Sequence, residues 1–139
     1  MISTLDFQKK LTNRLLIWSG SSIVSGSILV FLENQFLKGF GIQAIIWGII
    51  DAFIALIGKY NIRKKSSSLT SSEQLVKEAG KLRRVLLINT FLDIFYVAFG
   101  AVLAFVSKDL FWQGNGIGIV VQGAFLFFFD LIHKLLIKE

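Results

Sequence analysis

The stretch WGIIDAFIALIG, Trp47 to Gly58, decides the fold: it is rich enough in Ile, Ala and Phe to lie in lipid, yet it carries an aspartate at its centre. The surrounding chain is of the same kind. Of its 139 residues 54% are hydrophobic, the mean hydropathy is +0.67, and it contains neither proline nor cysteine. That composition is not that of an ordinary soluble domain. Crossing a hydrocarbon core takes about 20 apolar helical residues, and four segments approach that length: 15–32, 42–57, 85–106 and 117–132. The expectation is an all-α membrane protein, a bundle of four transmembrane helices forming one domain over residues 1–139.

Several functions are disfavoured at once. Without cysteine there are no disulfides, thiolate chemistry or cysteine metal sites, and a single histidine argues against a bis-histidine haem or polyhistidine zinc. No nucleophile–base pair, metal cluster or cofactor motif is visible, so neither an enzyme nor a cofactor is expected. Lys9, Lys10 and Arg14 precede the first apolar segment as they would a secretory signal. Its Ser and Gly, however, are scattered along a full span rather than gathered at a cleavage site, so it is read as a retained helix.

Basic residues set the expected orientation. Thirteen of the fifteen Lys and Arg lie in the N-terminal arm, the loop 59–84 and the C-terminal tail, and only Lys38 and Lys108 lie in the other two loops. The positive-inside rule then places both termini and the loop 59–84 in the cytoplasm. The net charge of +6 is explained without nucleic acid. The loop 59–84 is the one soluble-looking region and a candidate docking site for a cytoplasmic partner. Thr70 and Glu73 have capping-box spacing there, so the third helix is expected to extend below the membrane, with Gly80 as a flexible point. MISTLDFQKKL is read as a short interfacial helix with Leu5, Phe7 and Leu11 toward lipid. GNGIG, Gly114 to Gly118, is read as a tight turn, and Phe36, Phe40, Phe111 and Trp112 as a headgroup belt.

An internal repeat organises the spans. GIQAIIWGIIDAFIA from Gly41 lies without gaps against GIGIVVQGAFLFFFD from Gly116, pairing Gly48 with Gly123, and RLLIWS in the first span matches VLLINT in the third. The chain would then consist of two tandem, parallel-oriented helical hairpins about a pseudo-twofold axis. Each span has a seam of small or polar residues: Ser19, Ser22 and Gly26; Ala44, Trp47, Gly48, Asp51 and Ala55; Asn89, Asp93, Tyr96 and Gly100; Gln122, Leu126, Asp130 and His133. Such seams face the bundle interior.

Counted at ~1.5 Å per residue from the flanking basic residues, Ser22, Asp51 and Asp93 share a depth of roughly 12 to 14 Å, and Trp47, Tyr96 and Gln122 form a layer beyond them. Neither Asp51 nor Asp93 has a basic residue near it in the spans. An ionised group at mid-membrane costs at least ~2.5 kcal/mol, a burden that marks functional sites. The candidate proton or ion site is therefore Asp51 and Asp93, with Ser22, Trp47, Asn89, Tyr96 and Gln122 as its pocket. Asp130, close to Lys134, is expected to form an interfacial ion pair, and His133 to snorkel.

The patterns WGxxDxxIAxxG (Trp47 to Gly58), NxxLDxxYxxxG (Asn89 to Gly100) and QGxFLxxFDxxH (Gln122 to His133) resemble those of uncharacterised small bacterial four-helix membrane proteins, a domain of unknown function. The resemblance implies a bacterial integral membrane protein and no activity. Two functions fit the residues: a small proton- or cation-coupled transporter or channel, working as a homodimer in lipid, or a non-catalytic accessory subunit whose polar seam fixes helix packing.

Overall fold

A computed structural model describes residues 4–66 and 72–137. It contains four helices: α1 (Thr4–Val30), α2 (Gln35–Ser66), α3 (Ser72–Val106) and α4 (Leu110–Leu136). A chain without proline has nothing to break such long helices internally, and two short polar turns reverse it. Asn34 Oδ1 accepts a hydrogen bond from the Leu37 N–H at the start of α2, and Asp109 Oδ1 accepts one from the Phe111 N–H at the start of α4. Both satisfy orphan amides at a helix N-terminus.

The helices are longer than the apolar segments. α2 and α3 run on through most of the loop 59–84, since 59–66 and 72–84 are helical. At ~1.5 Å per residue each exceeds the ~30 Å hydrocarbon thickness, so both project beyond it at the basic end. The capping box at Thr70 lies outside the described residues. Gly80 sits inside unbroken helix with open space beside it. The N-terminal arm is not a separate interfacial helix: α1 starts at Thr4, Leu11 packs against the cluster of Leu15, Ala55 and Phe129, and Phe7 meets the His133 ring edge-on at 5.8 Å. An apolar face here finds protein rather than lipid.

α2, α3 and α4 are each long and apolar enough to cross a membrane. α1 accompanies α2 from Gly26 beside Gly41 at one end to Asn13, hydrogen-bonded by Lys59, at the other. α1 is therefore packed along the length of a helix able to span, and it is apolar as well. The burial pattern agrees: Phe53, Phe91, Phe95 and Phe105 are exposed, whereas Ser19, Asp51, Asp93, Asn115, Gln122 and Asp130 are buried. That inversion suits a lipid solvent.

α1 packs on α2, α3 on α4, and the two hairpins join through α2 and α4. Glycines make the contacts close. A Cβ on Gly26 would lie 2.5 Å from the Gly41 carbonyl oxygen, and one on Gly100 2.6 Å from that of Gly116. Across the hairpins, Gly39 abuts the Phe111 backbone and Gly114 abuts that of Phe36, a reciprocal contact of the kind a twofold axis produces. Gly39, Gly41 and Gly48 thus correspond to Gly114, Gly116 and Gly123, and the caps Asn34 and Asp109 correspond as well. GNGIG is accordingly no turn but part of α4, its glycines buried at helix contacts. The match of RLLIWS with VLLINT is displaced: Gly48 meets Ile23 and Gly123 meets Val97, which together with Gly26 and Gly100 pairs Ser19 with Asp93, three residues beyond Thr90.

Candidate functional site

The seams of small and polar residues converge on a cavity of about 500 Å³ in the basic half of the bundle. α2 supplies Trp47, Asp51 and Ala55, α3 supplies Asn89, Asp93 and Tyr96, α4 supplies Leu126, Phe129 and Asp130, and α1 closes it with Leu11, Thr12 and Leu15. Helical periodicity explains the set: Asp51 and Ala55 are one turn apart, as are Asn89, Asp93 and Tyr96, and Leu126 and Asp130.

Asp51 and Asp93 are 1% and 3% exposed, and the Oδ2 atom of each has no hydrogen-bond partner in the protein. Asp130, also buried, does not pair with Lys134 but points inward, its carboxyl within hydrogen-bonding reach of Asp93. Two carboxyl groups bond only if one carries a proton, since ionised carboxylates solely accept. Three acids therefore line the cavity where the sequence indicated two.

The cavity is shut toward the Asn34–Asp109 end. Trp47 and Tyr96 meet with ring centroids 5.1 Å apart. Trp47 Nε1 donates to Gln43 Oε1 (3.1 Å), Gln43 Nε2 to Asn115 Oδ1 (2.8 Å), and Asn115 Nδ2 to the Phe111 carbonyl (2.9 Å). This chain of amides crosses from α2 to α4 just below the Gly39 and Gly114 contacts. Gln43 and Asn115 have no place in the seams read from sequence; the traceable signal is Gly118, whose missing side chain makes room for Gln43. The backbones of Phe36 and Phe111 make these contacts while their rings are half-buried, and Trp112 is exposed at the same end.

At the opposite end Lys65 Nζ and Glu78 Oε1 form an ion pair at 2.8 Å, with Gln8 Nε2 3.4 Å from the same oxygen and Lys81 beside the opening. Of the residues expected around the acids, Trp47, Asn89 and Tyr96 line the cavity; Ser22 and Gln122 do not. They lie between α1 and α4, where Gln122 accepts from Trp18 Nε1 (3.0 Å) and its amide nitrogen is 3.4 Å from the Ser22 hydroxyl. Ser22 shares the depth of Asp51 but faces away from it.

His133 is also relocated. It is 4% exposed, its Nδ1 is 2.7 Å from the Phe129 carbonyl, and its Nε2 is 2.9 Å from Arg14 Nη1. A carbonyl must accept and a guanidinium must donate, so Nδ1 carries the proton and Nε2 accepts: a neutral ring bridging α4 and α1. Among the described residues no group of three His, Cys, Asp or Glu side chains is placed to hold a metal ion.

No curated protein and no solved structure matches the chain. A family model does, over residues 14–131, which takes in all four helices and every residue of the acidic cluster: the chain belongs to the family described as Family of unknown function (DUF6992).

Proposed function

We propose that this is a small transporter of the bacterial inner membrane, with both termini cytoplasmic, in which Asp51 and Asp93, joined by Asp130, bind a proton or cation inside the bilayer. One observation carries the reading: two carboxylates almost wholly removed from solvent, each with an oxygen that has no protein partner, stand in the wall of a cavity of about 500 Å³. A purely structural pair would use its oxygens to fasten helices, as Gln43 and Asn115 use theirs. Buried carboxylates with an oxygen left unpaired are expensive and are met where a charge is bound or moved.

The access side is the basic end, facing the cytoplasm by the positive-inside rule, and the Trp47–Gln43–Asn115 barrier closes the other. Transport then requires that barrier to open, and pairing of two copies would give the four helices a surface against which to rock. In proteoliposomes carrying a pH dye inside, the wild-type protein should pass protons when a cation gradient is applied, and Asp51→Asn with Asp93→Asn should lower the flux by about tenfold or more. Flux unchanged in that variant would refute the assignment.

A further inference from the structure

The cavity is far larger than a proton or bare ion requires. A water molecule's share of liquid volume is about 30 Å³, whereas about 500 Å³ falls within the roughly 300–1,000 Å³ of sites for drug-sized molecules. The walls are chiefly Ile, Leu and Val with the rings of Trp47, Tyr96 and Phe129, and carboxylates are the charged groups at its deep end. A hard metal ion asks for something else, about six or more oxygens converging at roughly 2.0–2.6 Å, and no such grouping exists among the described residues.

The cavity also has a side opening. α2 and α3 meet through the Trp47–Tyr96 rings and the Lys65–Glu78 ion pair, eighteen residues apart on each helix, or about 27 Å. Between those contacts Ile50 and Ile54 of α2 and Val85 and Leu92 of α3 line the cavity while being 42%, 56%, 51% and 42% exposed. They are the lips of a slot on the same apolar exterior as Phe53 and Phe91. The aqueous opening, by contrast, is flanked by the Lys65–Glu78 ion pair and Lys81, charged side chains rather than the apolar lips of the slot.

We propose that the cavity takes a lipophilic organic cation, an apolar body bearing one positive charge of the ammonium or phosphonium kind, which enters from the bilayer through the slot between α2 and α3. This rests on the reading of Asp51 and Asp93 as a cation site and names its substrate class. The body lies against the Ile, Leu and Val walls, the rings of Trp47 and Tyr96 offer their faces to the charge, and the carboxylates of Asp51 and Asp93 neutralise it.

Equilibrium dialysis of the purified full chain in detergent tests this with three probes: tetraphenylphosphonium, the like-shaped anion tetraphenylborate, and tetramethylammonium, a charge without an apolar body. Tetraphenylphosphonium should bind saturably and at least about tenfold tighter than either other probe, a difference of ~1.4 kcal/mol or more. Asp51→Asn with Asp93→Asn should weaken it by about tenfold or more. Ile54→Trp, which fills the slot from an exposed position, should weaken it as well, while Phe53→Trp, on lipid-facing surface outside the cavity, should not. Tetraphenylborate binding equally well, or Ile54→Trp matching wild type, would overturn the proposal even if the aspartate variants fail to fold. No saturable binding alongside aspartate-dependent proton flux overturns the organic cation and leaves the proton site standing. Aspartate-dependent tetraphenylphosphonium binding without proton flux supports the substrate class and removes the coupling.

Discussion

The glycine contacts within each hairpin carry the sharpest prediction about the fold. Replacing Gly26 with Ala sets a Cβ 2.5 Å from the Gly41 carbonyl oxygen, 2.9 Å from Ile45 Cγ1 and 3.0 Å from Ala44 Cβ; replacing Gly100 sets one 2.6 Å from the Gly116 carbonyl oxygen and 2.8 Å from the Val120 nitrogen. Ordinary contact begins at 3.4 Å, so each hairpin must part by close to 1 Å. The nearest obstructing atom at each site is main chain and cannot rotate aside. Overpacking of this kind costs about 1–3 kcal/mol, and rigid neighbours place these sites near ~3 kcal/mol. Alanine's better helix propensity returns up to ~1 kcal/mol, leaving a net loss of ~2 kcal/mol at each position. Gly20 and Gly80 have nothing within 4 Å of the added carbon, so alanine there should be neutral or stabilise by up to ~1 kcal/mol.

The repeat adds a second condition. Gly26 and Gly100 are equivalent, so their losses should agree within about 1 kcal/mol and, sharing no partner, should add. Gly26 and Gly41 obstruct one another's backbone, so the pair Gly26→Ala with Gly41→Ala should cost less than the sum, because one separation relieves both. Denaturant titration in detergent, followed by helical circular dichroism, measures all seven variants, the five single alanines and the two pairs. If Gly26→Ala were as stable as Gly20→Ala, or if Gly26 and Gly41 added fully, the close-packed hairpin and the symmetry derived from it would both be wrong.

Three further outcomes follow from contacts elsewhere. Gln43→Leu leaves the Trp47 N–H and Asn115 Oδ1 without partners in the interior, so it should destabilise by about 2–3 kcal/mol, whereas Trp47→Phe, which removes one donor, should cost ~1 kcal/mol; equal stabilities would remove the amide chain from the account. Lys65→Ala breaks an ion pair whose lysine is 43% exposed while Gln8 stays beside Glu78, so the loss should stay within ~1 kcal/mol and shrink in high salt; a larger, salt-insensitive loss would mean the pair holds α2 to α3. The chain has no cysteine, so single cysteines replacing Lys10 or Lys64 should react with impermeant maleimide from the cytoplasmic side, and those replacing Glu33 or Lys108 from the other. Labelling of all four from one side would contradict the bundle.

The spans were legible because lipid demands long apolar helices, and the repeat because glycines at close contacts cannot be exchanged for larger residues. The seams named the interior faces well: Gly48, Asp51, Ala55, Asp93, Gly100, Gln122, Asp130 and His133 are all buried. Errors came from treating depth as position. Ser22 lies level with Asp51, but its face of α1 turns toward Gln122. Asp130 has Lys134 one turn away, and helix-local spacing made that lysine the obvious partner; the approach of α3 brings Asp93 instead. Nothing in the α4 sequence reports where α3 stands. Gln43 and Asn115 were invisible for a similar reason, since their bond joins residues far apart in sequence.

Twofold-related hairpins make two equivalent clefts, one between α2 and α3 and one between α1 and α4, and the chain treats them differently. In the α1–α4 cleft Trp18 stacks on Phe125 at 3.7 Å and bonds Gln122, and Arg14 bonds His133, leaving an open depression of about 310 Å³. In the α2–α3 cleft the contacts retreat to the two ends and the middle stays open. The acids follow the same division: the repeat mates of Asp51, Asp93 and Asp130 are Leu126, Ser19 and Ala55. Glycines and caps, which settle how helices approach, agree between the halves, whereas charge does not. Packing alone would be served by keeping both clefts alike. Carboxylates placed in the more open of the two clefts are instead what the proposed binding site requires, and this asymmetry, more than the presence of aspartate in an apolar helix, favours that proposal over helix glue.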